Sequence, residues 1–116
     1  MAVITNKTRG KALAADAKPC RNAFSRAIGL MFSKKKALFF IFSKEKIIPL
    51  HMLMVFFPID VIFVGKDRKI AEIKESLRPF AFYTPKKKAL YIIEAPAGMV
   101  KKTGTKIGDK LAFDNI

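Results

Sequence analysis

Tryptophan and glutamine are missing from this chain of 116 residues, cysteine and histidine occur once each, and 9 acidic residues stand against 23 lysines and arginines. Each shortage excludes something. The single Cys20 allows no intrachain disulfide. One cysteine and one histidine, His51, cannot furnish the four N and S ligands of a structural zinc site. Glycine is sparse as well, and no phosphate-cradling loop of the P-loop or dinucleotide type occurs, so no cofactor is implied. The opening residues, Met1 to Lys7, lack the apolar stretch of a secretory signal, and a reducing cytoplasm is the expected location. The absence of glutamine, with asparagine only at Asn6, Asn22 and Asn115, gives a thermophile-like composition, although glutamate is not enriched.

What is abundant is positive charge and apolar surface. The formal net charge is +14, with 51% hydrophobic and 28% charged residues. These coexist because they are segregated. Lysines cluster as Lys34, Lys35 and Lys36, as Lys86, Lys87 and Lys88, and as Lys101 and Lys102, whereas most phenylalanines sit inside apolar runs. Such a basic surface attracts polyanions, nucleic acid among them, with an affinity that falls with salt. The more ordinary reading is a well-solvated lysine-rich surface. Single-strand binders interleave basic charge with exposed aromatics, and Phe82 and Tyr83 beside Lys86–Lys88 are the obvious candidates.

Ile47–Val64 reads IIPLHMLMVFFPIDVIFV and just reaches the length of a membrane span. Pro49 and Pro58 interrupt it, His51 and Asp60 are polar, and lysines flank both ends, so no membrane orientation is set. Two buried strands, Leu50–Phe57 and Ile59–Val64, divided at Pro58, explain more of these residues. Strands apolar on both faces belong inside a sheet covered on both sides. Gly65–Arg68 then supplies a turn before a further strand at Lys69–Lys74.

Elsewhere the pattern predicts strands at Ala2–Thr5, Leu13–Ala15, Ala37–Phe42, Lys88–Ala95 and Lys110–Phe113. Asn22 can cap a helix whose apolar face is Phe24, Ala27, Ile28 and Met31. Leu77–Pro85 reads as an extended connection, and Ala97–Thr103, between Pro96 and Gly104, as a short helix. The expectation is a single mainly β domain over residues 1–116, a compact barrel or jelly-roll-like sandwich of about seven strands with one or two short helices.

The ordered segments Arg26–Phe32, Ala37–Phe42, His51–Phe63, Tyr91–Gly98 and the closing Gly104 to Asp109 resemble the family called domain of unknown function 192. The motif residues that carry the resemblance include Gly29, Met31, Pro58, Pro96, Gly98, Gly108 and Asp109. The resemblance covers nearly the whole chain and implies a small, mainly β domain without bringing an activity. Bacterial-type members of the family often carry tryptophan at the position where His51 stands here.

Asp60 and Glu94 are the carboxylates embedded in apolar strands, and burial would raise their pKa unless donors compensate. If the strands bring them together, they could work as an acid and base pair in a hydrolase. The plainer reading is structural, with each carboxylate holding a turn through backbone N–H donors or pairing with Arg26 or Arg78. His51 with Met31, Met52 and Met54 suggests a soft-metal site, but methionine is an ordinary core filler and strand alternation divides the set. A Cys20–His51 nucleophile pair lacks an orienting third group. The leading expectation is therefore a non-enzymatic β domain binding a small ligand or a protein, with a candidate pocket at His51, Met54, Asp60 and Glu94. A nucleic-acid-associated basic protein and an Asp60/Glu94 hydrolase stand as alternatives, and no catalytic or metal-ligating residue is assigned.

Overall fold

The computed structural model describes residues 2–20, 37–51 and 57–113. Within them lie β1 (Ala2–Asn6), β2 (Lys11–Cys20), β3 (Leu38–Lys46), β4 (Leu50–His51), β5 (Ile59–Val64), β6 (Ile70–Leu77), β7 (Phe82–Tyr83), β8 (Ala89–Pro96), the short helix α1 (Met99–Thr103) and β9 (Leu111–Phe113). Seven strands form one sheet in the order β6-β5-β8-β3-β2-β1-β9, and β4 pairs with β7 in a separate ribbon. Every neighbouring pair is antiparallel except β2 and β3.

The run Ile59–Val64 behaves as its composition demands. All six residues of β5 are buried, because β6 and β8 flank it and both sheet faces are covered. Alternation sends its side chains into two apolar layers. Ile62 and Val64 join Ile4, Phe39, Ile70, Ile93, Leu111 and Phe113 in the inner layer. Val61 and Phe63 join Cys20, Leu38, Phe40, Ile92 and Leu77 in the outer layer, against which Leu50 and Tyr83 of the small ribbon pack. At the inner layer's centre Phe39 and Tyr91 each meet Phe113 edge-on, with ring centroids 4.7 Å apart, the arrangement that ring quadrupoles favour.

The sheet curls around its inner layer until its two ends touch. Ile70 N–H donates to the Asp109 carbonyl at 3.0 Å, Gly108 N–H to the Ile70 carbonyl at 2.8 Å and Leu111 N–H to the Arg68 carbonyl at 2.9 Å. These bonds stitch the start of β6 to the start of β9 at one corner without closing a barrel, so the architecture is sandwich-like. Among the described residues no helix is long and apolar enough to cross a membrane.

Several boundaries differ from expectation. The return strand expected at Leu13–Ala15 runs over Lys11–Cys20, and the connection expected at Leu77–Pro85 contains β7. The short helix starts at Met99 rather than Ala97. Ala97 N–H instead donates to the Pro58 carbonyl at 3.2 Å, and Gly98, with φ 105°, takes a backbone turn that a side chain would oppose. Of the strand expected at Leu50–Phe57, Leu50–His51 is a strand and residues 52–56 lie outside the described residues. The helix expected after Asn22 also lies outside them.

Candidate functional site

Asp60 and Glu94 sit on adjacent strands, one residue out of step. In the β5/β8 register Asp60 is opposite Ala95, and Glu94 is opposite Val61. Ala95 belongs to the inner layer and Val61 to the outer one, so the two carboxylates leave the sheet on opposite faces. They do not form the facing pair that an acid and base mechanism across one bond requires, and the pocket expected to hold both is divided by the sheet itself.

Asp60 is 1% exposed and fully occupied. Its Oδ1 accepts the Ser76 N–H at 2.9 Å, and its Oδ2 accepts the N–H groups of Gly98 at 3.0 Å and Val100 at 2.9 Å. The latter two are otherwise unpaired donors at the start of α1, where a carboxylate is favoured by both hydrogen bonding and the helix dipole. Ser76 is presented by an irregularity in the ladder, where Ile59 pairs with Leu77 but Val61 with Lys74 and Ser76 takes φ 51°. Asp60 thus clamps β5, β6 and α1 together, as the structural reading of the sequence anticipates.

Glu94 is the opposite case. It is 8% exposed, and among the described residues no hydrogen bond or ion pair reaches its carboxyl. Leu38 on β3 and Val61 on β5 flank it directly, and Ile92 precedes it on the same face of β8. Burial in these apolar surroundings pushes its pKa from the ordinary 4.5 up to about 8. Among the described residues no fully enclosed side-chain polar atom lacks a partner. The unbonded Glu94 oxygens therefore keep a narrow contact with solvent.

Beyond Leu38 and Val61 the same row of the sheet ends in two cations. Lys18 pairs with Leu38 and Lys74 with Val61. Each is two strands from Glu94, about 10 Å between backbones at the usual strand spacing. The Lys74 Nζ lies over the Tyr83 ring, 5.7 Å from its centroid. The Tyr83 hydroxyl donates to Glu72, which pushes its own pKa up to about 12. Neither lysine stands out in the sequence. Strand alternation places Lys18 with Cys20, and Lys74 with Glu72, but only the pairing register aligns both with Glu94.

The other candidate residues are scattered. His51 pairs with Phe82 in the small ribbon; Met54, Gly29, Met31, Lys34, Lys35 and Lys36 lie outside the described residues. Lys86, Lys87 and Lys88 are exposed on a turn held by Glu72, whose Oε1 accepts the N–H groups of Lys86 at 2.8 Å and Lys87 at 3.0 Å. Lys101 and Lys102 are exposed on α1. The second and third lysine clusters therefore flank opposite ends of β8, about 26 Å apart along an eight-residue strand. Pro58, Pro96 and Gly98 surround the Asp60 clamp. Gly108 and Asp109 form the stitched corner, where the Asp109 Oδ2 accepts from Arg9 Nε, Asn6 Nδ2 and Lys106 N–H, each at 2.9 Å. The Arg9 hydrogen bond is the main cause that draws the Asp109 carboxyl down to about 2. Among the described residues no group of three or more His, Cys, Asp or Glu is placed to hold a metal ion.

Fold and site together define a compact, mainly β, sandwich-like domain in which Asp60 is held by backbone donors and Glu94 has no hydrogen-bond partner among the described residues. Residues 4–113 match the family of uncharacterized ACR proteins, domain of unknown function 192, and the chain belongs to that family. It is 35% identical to the UPF0127 protein of Thermococcus sibiricus over 97% of this chain and 75% of that one. It is 32% identical to the UPF0127 protein of Pyrococcus furiosus, over 96% and 97% of the respective chains. Among solved structures, a provisionally assigned transcription regulator from Sinorhizobium meliloti superposes with a TM-score of 0.82 at 23% identity, covering 97% of this chain and 91% of that one. A protein of unknown function from Novosphingobium aromaticivorans gives 0.81 at 23%, covering 96% and 82%. At that identity the likeness carries the fold alone.

Proposed function

We propose that this chain is a non-enzymatic binding domain whose site is the outer sheet face around Glu94, and that its ligand is a small molecule with an apolar body. The observation that carries this reading is the Glu94 carboxyl, nine-tenths buried without a hydrogen bond among the described residues. A buried polar group without a partner costs stability, and a ligand that completes it recovers that cost. Apolar walls with very few polar groups are also the usual make-up of small-molecule sites. The hydrolase alternative does not fit this geometry, because Asp60 and Glu94 face opposite layers. The test is methyl NMR on the intact protein, titrated separately with hexanoate, hexanol and hexylamine. Shifts concentrated at Leu38, Val61 and Ile92 are expected with at least one of them; no shift at these methyls with any of the three would refute the reading.

A second reading rests on a separate observation. Phe82 is 82% exposed on a segment that continues into exposed Lys86, Lys87 and Lys88, a combination suited to stacking and phosphate attraction on single-stranded nucleic acid. Tyr83 does not share that role, since its hydroxyl is held by Glu72 and its ring packs against Phe63 at 5.9 Å. Anisotropy with labelled RNA and DNA oligomers decides it. Affinity should fall steeply with salt and weaken in Phe82→Ala; absence of binding at low salt would dismiss this reading.

A further inference from the structure

The charge arrangement around Glu94 specifies the ligand more closely. We propose that the site takes an apolar monocarboxylate, to which the neutral Glu94 carboxyl donates a hydrogen bond while Lys18 and Lys74 balance the ligand's charge. This rests on the ligand-binding reading above and deepens it.

Three observations support the choice. First, the Glu94 carboxyl is buried among Leu38, Val61 and Ile92, an environment that disfavours its ionised form. In that state the group has one O–H to give, and a carboxylate oxygen is the strongest common acceptor for it. Second, charged and titratable groups face this layer from the neighbouring strands. They are Lys18 and Cys20 on β2, Lys46 on β3, whose Nζ lies over the Phe42 ring, Glu72 and Lys74 on β6, and Tyr83 on β7. Glu72 keeps its negative charge while bonded to Tyr83 and to the Lys86 and Lys87 N–H groups, and Lys18, Lys46 and Lys74 outnumber it, so the local sign is positive. Third, the chain as a whole carries +14, a field that draws anions toward any opening and repels cations.

An organic ammonium ion is the natural rival, because an ionised Glu94 would pair with it directly. The two differ in the sign of their pH dependence. A carboxylate ligand needs Glu94 protonated, so its affinity declines as Glu94 ionises. An ammonium ligand needs Glu94 ionised, so its affinity climbs over the same interval.

The experiment measures hexanoate, hexanol and hexylamine binding by methyl NMR at pH 6.5 and pH 9.5. Hexanoate should bind the wild-type protein at least tenfold more tightly at pH 6.5, with hexanol changing less than threefold. Glu94→Gln keeps an N–H donor but cannot ionise, and should reduce the pH dependence of hexanoate binding to less than twofold. Lys74→Met should weaken hexanoate severalfold and leave hexanol unchanged. Hexanoate affinity that is flat or rising with pH while hexanol binds would overturn the proposal and leave the ligand-binding reading intact. So would hexylamine binding more tightly than hexanoate. Failure of all three compounds to bind would defeat both. The wild-type pH profile decides between carboxylate and ammonium even if a variant fails to fold.

Discussion

Replacing Glu94 by glutamine should reverse the order of stability between acid and alkaline conditions. In the unfolded chain this carboxyl titrates near 4.5, whereas in the fold burial raises it to about 8. Below pH 4.5 both states hold the proton and Glu94 imposes no ionisation penalty. Between these values the folded state retains a proton that the unfolded state has released, so stability declines as pH rises. Above about 8 both states are ionised and the loss is complete. At 1.36 kcal/mol per unit, the displacement from 4.5 to about 8 corresponds to at most roughly 5 kcal/mol. The carboxyl's narrow solvent contact lowers that to about 2–4 kcal/mol. Against a total stability of about 5–15 kcal/mol the effect is large. Urea unfolding of wild type and Glu94→Gln at pH 5, 6.5, 8 and 9 measures it. The difference between the two proteins cancels the contribution of other titrating groups. Glutamine should be neutral or mildly destabilising at pH 5 and stabilising by about 2–4 kcal/mol at pH 9. A difference that stays constant from pH 5 to 9 would show that Glu94 is not a desolvated carboxyl and would remove the basis of the proposed site.

Asp60→Ala strips three backbone N–H groups of their acceptor and should cost about 2–4 kcal/mol in chemical unfolding. Faster amide exchange at Gly98 and Val100 should accompany it, with partial recovery in Asp60→Asn; unchanged exchange would contradict the clamp. Asp109, held down to about 2 chiefly by Arg9, contributes stability that is complete above the ordinary 3.8 and lost as pH falls toward 2. Allowing for screening of the partly exposed Arg9, Asp109→Asn should remove about 1–2 kcal/mol at pH 7. The variant should be closer to wild type at pH 2, as read from acid and urea unfolding.

The fold was legible in the sequence wherever composition acts locally. The β-branched and aromatic run Ile59–Val64 declared a buried strand, Pro58 marked its start, and Gly65–Arg68 its closing turn. Asp60 and Glu94 also stood out as carboxylates in apolar strands, yet nothing local separates them. Their difference is set by register and by distant backbone. Asp60 is satisfied from positions 16, 38 and 40 residues away, through a ladder irregularity in β6 and a glycine turn before α1. Glu94, shifted by one residue in pairing, faces a layer that offers no such donors among the described residues. A one-residue offset exchanges the two faces of a strand, so one buried carboxyl becomes a structural clamp and the other is left without a hydrogen bond among the described residues.

Among the described residues nothing in the fold requires a carboxyl at Glu94. Two residues earlier on the same strand face, Ile92 sits between Phe40 and Phe63 and completes the outer layer with apolar surface alone. A leucine or isoleucine at Glu94, between Leu38 and Val61, would extend that layer and remove the burial penalty. Buried polar groups that no partner satisfies weaken a fold, and a group that breaks the local packing rule without structural return marks a functional position. Asp60 fails that criterion, since three backbone donors account for it. Glu94 meets it among the described residues, and Lys18 and Lys74, two strands away on either side, are the charges that the proposed ligand would meet.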